Sequence, residues 1–233
     1  VSLNIFVDPA PLPIIGANNV CVTQTTPLAS STPGGTWSST APAVATISSA
    51  GLVLGVTAGT TLISYTNSLG CAAVYPFTVN QMPSSISGSA NVCLSGTSVL
   101  TDSVSGGTWF SANPSVAAIG SSSGVVTGIT LGTTTIRYTL PNGCSVTKVI
   151  TVHPLPLVFT VTGGGNHCDG DAGVHIGLSG STVGVNYMLY LGATAVGAFA
   201  GTGSALDFGL HTVGGLYTVK GTSTVSGCSI NMA

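Results

Sequence analysis

Residues 19–71 contain Asn-Val-Cys (19–21), Gly-Gly-Thr-Trp (34–37), Pro-Ala-Val-Ala-Thr-Ile (42–47), Gly-Leu-Val-Leu-Gly (51–55), Gly-Thr-Thr-Leu-Ile-Ser-Tyr-Thr (59–66) and Gly-Cys (70–71). The same order returns as Asn-Val-Cys (91–93), Gly-Gly-Thr-Trp (106–109), Pro-Ser-Val-Ala-Ala-Ile (114–119), Gly-Val-Val-Thr-Gly (124–128), Gly-Thr-Thr-Thr-Ile-Arg-Tyr-Thr (132–139) and Gly-Cys (143–144). Gly34 and Gly106 are 72 residues apart, and Cys71 and Cys144 are 73 apart. A fixed period with one insertion is the mark of duplication. A more diverged third unit runs from Asn166-His167-Cys168 to Gly227-Cys228, with Gly214-Gly215-Leu216-Tyr217-Thr218-Val219 in place of the Gly-Thr-Thr segment.

Within a unit, short runs alternate apolar and polar residues. Leu62, Ser64 and Thr66 oppose Ile63 and Tyr65, and Thr135, Arg137 and Thr139 oppose Ile136 and Tyr138. Gly, Asn, Pro and Ser clusters such as Pro141-Asn142-Gly143 break these runs at short intervals. Period-two alternation with frequent turns predicts an all-β sandwich, and no segment sustains the helical period. Pro-rich joints at Asp8–Pro13, Asn80–Pro83 and His153–Pro156 predict short, semi-rigid linkers and an elongated rod. The expected organisation is 1–9 completing a preceding or neighbouring domain, then domains at 10–81, 82–155 and 156–233, the third lacking its last strand.

Composition narrows the function. Charged residues are 3% of the chain and hydrophobic residues 44%. Three Lys and Arg residues give no electrostatic footprint for nucleic acid or for anionic membrane surfaces. No apolar run reaches a membrane-spanning length, so no membrane insertion is expected. The chain begins at Val1 rather than Met, which predicts a mature or excised portion.

Six cysteines, Cys21, Cys71, Cys93, Cys144, Cys168 and Cys228, form no CxxC pair. A metal site, free thiols and disulfides are the three readings, and regular spacing in a low-charge chain favours disulfides in an oxidising compartment. One early and one late cysteine per unit predict Cys21–Cys71, Cys93–Cys144 and Cys168–Cys228. Closing a loop of around 50 residues is worth about 4 kcal/mol on the chain-entropy account.

Residues 2–7 (Ser2, Leu3, Asn4, Ile5, Phe6, Val7) read as a strand belonging to no unit, and joining Met232-Ala233 to Val1 reads like a normal unit ending. Either a covalent array continues, or these residues donate a strand to the third domain of a neighbouring copy, against a simple truncation with no such role.

The Gly-Gly-Thr-Trp, Asn-Pro-Ser-Val-Ala, Gly-Val-Val-Thr-Gly and Gly-Thr-Thr-Thr-Ile-Arg-Tyr-Thr segments of the second unit resemble the bacterial Ig-like group 2 domain. The third unit, with Thr162-Gly-Gly-Gly165, Gly177-Leu-Ser-Gly-Ser181 and Gly201-Thr-Gly-Ser-Ala-Leu206, is similar to a second Ig-like repeat type. The resemblance implies giant secreted or cell-surface proteins and adhesins of gliding, Bacteroidetes-like bacteria. Tandem immunoglobulin-like β-sandwiches are therefore expected, in an extracellular fibre or adhesin whose partners are copies of itself or adjoining repeats, head-to-tail. Trp37 and Trp109 are expected in the cores.

Other chemistry weighs less. Gly120-Ser-Ser-Ser-Gly124 has nucleophile-elbow spacing but lies between two strands, where a turn is expected. Asp169-Gly170-Asp171 offers two carboxylates toward a Ca²⁺ site, against a plain turn. His153, His167, His175 and His211 are scattered, and no enzyme activity, metal or cofactor is expected. Asp102-Ser103-Val104 resembles an O-glycosylation signal and makes Ser103 a candidate. The alternative function is a carbohydrate-binding accessory module, in which Phe110, Tyr187 or Tyr190 would stack on surface glycans.

Overall fold

The computed structural model describes Leu3 and residues 7–233. The all-β expectation holds: among the described residues the elements are 22 strands, arranged as two sheets for each sequence repeat.

The first repeat carries β1 (Ile15–Gly16), β2 (Asn19–Cys21), β3 (Thr25–Ala29), β4 (Thr36–Ser39), β5 (Ala45–Ile47), β6 (Leu52–Gly55), β7 (Gly59–Thr66) and β8 (Ala72–Asn80). One sheet is ordered β1-β3-β6-β5 and the other β2-β8-β7-β4. The second carries β9 (Asn91–Cys93), β10 (Thr97–Val99), β11 (Thr108–Ser111), β12 (Ala117–Ile119), β13 (Val125–Gly128), β14 (Gly132–Thr139) and β15 (Ser145–His153), in sheets β10-β13-β12 and β11-β14-β15-β9. The third carries β16 (Val161–Gly163), β17 (Val174–Leu178), β18 (Val185–Leu191), β19 (Thr194–Ala200), β20 (Leu206–His211), β21 (Tyr217–Ser223) and β22 (Ser229–Asn231), in sheets β16-β17-β20 and β19-β18-β21-β22.

The chain forms two compact units, one of Val1–Ser85, Asp102–Thr108 and Tyr138–Val146, the other of Ile86–Thr101, Trp109–Arg137 and Thr147–Ala233.

The repeated motifs have mechanical explanations. The first glycine of Gly-Gly-Thr-Trp turns the chain at positive φ, +73° at Gly34 and +89° at Gly106. A Cβ on the second would stand 2.5 Å from a tyrosine ring carbon, Tyr65 against Gly35 and Tyr138 against Gly107. That approach lets the Gly35 N–H donate to the Tyr65 hydroxyl (2.9 Å), which donates to the Thr32 carbonyl (2.6 Å). Gly107, Tyr138 and Val104 repeat the relay at 2.8 and 2.9 Å. The second threonine of each Gly-Thr-Thr is buried. Thr61 Oγ1 accepts from the Ala41 N–H (3.0 Å), and Thr134 Oγ1 from the Asn113 N–H (2.9 Å), so the loop before β5 or β12 is pinned. Buried hydroxyls placed this way avoid the cost of an unpaired polar atom.

Alternation along β7 and β14 buries Ile63, Tyr65, Ile136 and Tyr138, as expected. The core of the first repeat gathers Leu28, Val53, Ile63, Phe77 and Val79, with Trp37 half-buried on its edge at 4.6 Å from the Tyr65 ring. Trp109 is buried, and Tyr187, Leu189, Phe208 and Val219 form the core of the third repeat.

The third repeat differs from expectation at its last strand. β22 pairs antiparallel with β21 (Thr222 opposite Ser229, Lys220 opposite Asn231), as β8 pairs with β7, with three residues where β8 has nine. Met232 is buried in the core, and Ala233 exchanges backbone hydrogen bonds with Phe159 and Val161. In the third repeat β22 therefore takes the place beside β21 that β8 takes beside β7.

Candidate functional site

The cysteines do not pair as their spacing predicts. The disulfides are Cys21–Cys144 and Cys93–Cys228, with Cα separations of 5.9 and 5.5 Å, and Cys71 and Cys168 are free. This corrects all three expected bridges, Cys21–Cys71, Cys93–Cys144 and Cys168–Cys228.

Strand register supplies the reason. β2 runs parallel to β8 with Cys21 opposite Asn80, the last residue of β8, whereas Cys71 immediately precedes its first residue. Nine residues of extended chain at roughly 3.3 Å each put about 30 Å between those ends. A disulfide requires Cα atoms within about 7 Å. In the second repeat, Cys93 likewise stands opposite His153, the last residue of β15, and Cys144 directly precedes its first. In these two repeats the early and late cysteines thus sit at opposite ends of one strand, and both early cysteines, Cys21 and Cys93, bond the late cysteine of the repeat that follows. The staples close repeat-to-repeat joints.

Each late cysteine ends a hairpin with the same closing bond. Asn67 N–H donates to the Cys71 carbonyl (2.9 Å), Leu140 N–H to Cys144 (2.9 Å) and Ser223 N–H to Cys228 (2.8 Å). The first two hairpins also grip the linker that enters their repeat. Asn67 Nδ2 donates to the Pro9 carbonyl at 3.0 Å and Asn142 Nδ2 to the Gln81 carbonyl at 2.9 Å. In the sequence Asn142 reads as a turn residue only, and Asn67 carries no signal of this grip.

Each early cysteine opens a tight turn. Two residues on, Thr23, Ser95 and Gly170 have φ of +67°, +61° and +90°. Three residues on, the N–H of Gln24, Gly96 and Asp171 returns to the cysteine carbonyl at 3.0, 2.8 and 3.1 Å. Asp169-Gly170-Asp171 is therefore this turn in the third repeat, and Asp171 Oδ2 accepts from the Cys168 N–H (2.9 Å).

The other candidates separate. Among the described residues, no three His, Cys, Asp or Glu side chains converge on a metal position. Gly120–Gly124 is a turn between β12 and β13, closed by Gly124 N–H to the Gly120 carbonyl at 3.1 Å. His153 bonds Asn91, and His167 bonds the Thr212 carbonyl. His175 pairs at the surface with Asp207 at 2.8 Å. That hydrogen bond, then one from the Gly209 N–H, holds the Asp207 carboxyl below its ordinary range.

Tyr187 is fully buried with its hydroxyl accepting from the Thr182 N–H, which corrects its expected role as an exposed sugar platform. Phe110 is exposed, with the Arg137 guanidinium 5.2 Å from its ring centre, and Tyr190 is half-buried. Ser103 is exposed, its hydroxyl against that of Ser84, beside Asp102, whose Oδ1 accepts from the Ser84 and Val104 N–H groups. Of the expected terminal strand, Ser2, Asn4, Ile5 and Phe6 lie outside the described residues, and Leu3 and Val7 are exposed.

A profile of the bacterial Ig-like domain (group 2) matches residues 4–71. The chain is similar to the C-terminal 282-residue fragment of intimin, solved with the intimin-binding domain of the translocated intimin receptor. Identity is 20%, over 66% of this chain and 67% of that one, with a TM-score of 0.41. It is also similar to domains 4 and 5 of the S-layer protein SbsC, at 17% identity over 61% of this chain and 98% of that one, with a TM-score of 0.28. No curated protein matches it. The immunoglobulin-like fold rests on the paired sheets and the profile match.

Proposed function

We propose that this chain is a structural repeat region of an extracellular surface fibre or adhesin, in which immunoglobulin-like domains continue head-to-tail as a rod. The observation that carries the reading is the placement of the staples. Cys21–Cys144 and Cys93–Cys228 tie each repeat to the next. A protein whose task is confined to one domain has no use for cross-links that hold joints; one that transmits tension along a series of domains does. The oxidised pairs fit an extracellular compartment. The three Lys and Arg residues give trypsin-like proteases few places to cut.

Antibodies raised against the folded chain test the proposal on intact cells that produce it. Labelling without permeabilisation is expected, along extended material rather than at points. Labelling seen only after the envelope is opened overturns the reading. The head-to-tail arrangement is checked by electron microscopy of the same material, where beads in series are expected.

A further inference from the structure

Cys71 and Cys168 occupy places built like those of the bonded cysteines. Cys71 ends a hairpin closed by the same Asn67-to-Cys71 backbone bond that has its counterpart at Cys144 and Cys228. That hairpin grips the Pro9 carbonyl through Asn67 as the bonded one grips Gln81 through Asn142, and the Cys71 sulfur lies 3.6 Å from the Asp8 carbonyl of the same linker. Cys168 opens the turn that follows Cys21 and Cys93, with positive φ two residues on and the Asp171 N–H returning to its carbonyl. Cys168 is exposed and Cys71 half-buried, so both sulfurs are within reach of a partner.

Both formed bridges obey one rule, early cysteine to the late cysteine of the following repeat. Under that rule Cys168 is an early cysteine that takes a late one, and Cys71 is a late cysteine that takes an early one. Each is the complement of the other.

We infer that Cys168 of one copy forms a disulfide with Cys71 of a second copy, so that copies of this chain join head-to-tail through the same staple that joins their repeats. The inference rests on the repeat-region reading and names the partner of its joint. The oxidant is a low-molecular-weight disulfide of the glutathione class. The Cys168 thiolate attacks it, forming a mixed disulfide and releasing one thiolate. The Cys71 thiolate of the second copy then attacks the Cys168 sulfur and displaces the other. Two protein thiols are oxidised, one small disulfide is reduced to two thiols, and the protons leaving the cysteines end on those thiols.

The test incubates folded chain with oxidised glutathione and follows it on non-reducing gels. The wild type is expected to give a ladder of multimers that reductant collapses. Cys71→Ser alone and Cys168→Ser alone should each stay monomeric. Their equimolar mixture should give dimer and nothing larger. Trypsin cuts after Arg137, Lys148 and Lys220, so the dimer should link fragment 149–220, carrying Cys168, to fragment 1–137, carrying Cys71. Three results overturn the inference: free thiols on monomers throughout, Cys71 bonded to Cys168 within one chain, or single variants that dimerise with themselves as readily as with each other. Monomers that still label on intact cells would remove this joint and leave the repeat-region reading standing.

Discussion

The β7–β8 and β14–β15 hairpins are made from the same parts and end in different chemical states. Each closes on a cysteine carbonyl, and each holds the linker entering its repeat through an asparagine side chain. Cys144 is buried and bonded to Cys21, while Cys71 keeps its thiol. The difference lies outside both hairpins: Cys144 has Cys21 of the repeat before it as its partner, and Cys71 is bonded to no cysteine of this chain. Local sequence builds the socket, and the neighbour decides whether it is filled.

The sharpest way to break this comparison is to remove the cysteines. The double substitution Cys21→Ser with Cys144→Ser should cost about 2–5 kcal/mol in urea unfolding, the usual range for a native bridge. Cys71→Ser should stay within about 0.5 kcal/mol. Tryptic digestion without reductant should yield fragment 1–137 linked to both 138–148 and 221–233, with 149–220 free. Finding 149–220 bound to 221–233 would restore one staple per repeat and end the comparison.

The tyrosine relays come next. Tyr65→Phe strands the Gly35 N–H and the Thr32 carbonyl, and Tyr138→Phe strands Gly107 and Val104. Each should cost about 1–3 kcal/mol by denaturant melt, and by similar amounts, because the relays are superimposable in kind. A large inequality would show that the two repeats are stabilised differently despite matching motifs.

A smaller contrast sits four residues beyond each late cysteine. Tyr75 donates its hydroxyl to the Gly16 carbonyl at 2.8 Å. Lys148 donates its ammonium to the matching Gly88 carbonyl at 2.7 Å and to Ile86 at 3.1 Å. Lys148→Met should cost about 1 kcal/mol, and Tyr75→Phe less, since one is a charge-assisted pair of bonds and the other a single neutral one. Equal losses would deny the lysine its second bond.

The smallest effect belongs to the exposed His175–Asp207 pair, distant in kind from either hairpin. Its carboxyl is held below the ordinary range, so what it contributes is present above that range and lost as pH falls through its folded value. Asp207→Asn should lower the melting temperature slightly at neutral pH, and the two proteins should converge in acid. A gap that widens in acid would contradict the sign.

Much of this was readable in the chain. Duplicated motifs and two-residue alternation announced sandwiches, and the Gly-Gly-Thr-Trp signature encodes a turn plus a close approach to tyrosine. The cysteine partners were not readable, because equal spacing is the same whether a bridge closes a repeat or spans two. The parallel pairing of β2 with the far end of β8 breaks that tie, and it lies between residues 59 positions apart. Tyr187 was misjudged for a related reason. An aromatic ring that could stack on sugars packs equally well in a core, and a backbone N–H inside the sandwich satisfies the Tyr187 hydroxyl. Asn67 and Asn142 look like any turn residues until the linker carbonyls are placed beside them.

The two disulfides interlace, since Cys93 lies inside the loop closed by Cys21–Cys144, and Cys144 lies inside the loop closed by Cys93–Cys228. The shortest covalent route from residue 21 to residue 228 therefore crosses one bridge to 144, runs back along the backbone to 93 and crosses the other, so only 51 of the 207 residue steps can ever pay out under tension. At about 3.5 Å per step that is a tether of about 180 Å, where the unbridged chain would reach about 720 Å. Even with every strand pulled apart, three quarters of the slack stays locked away.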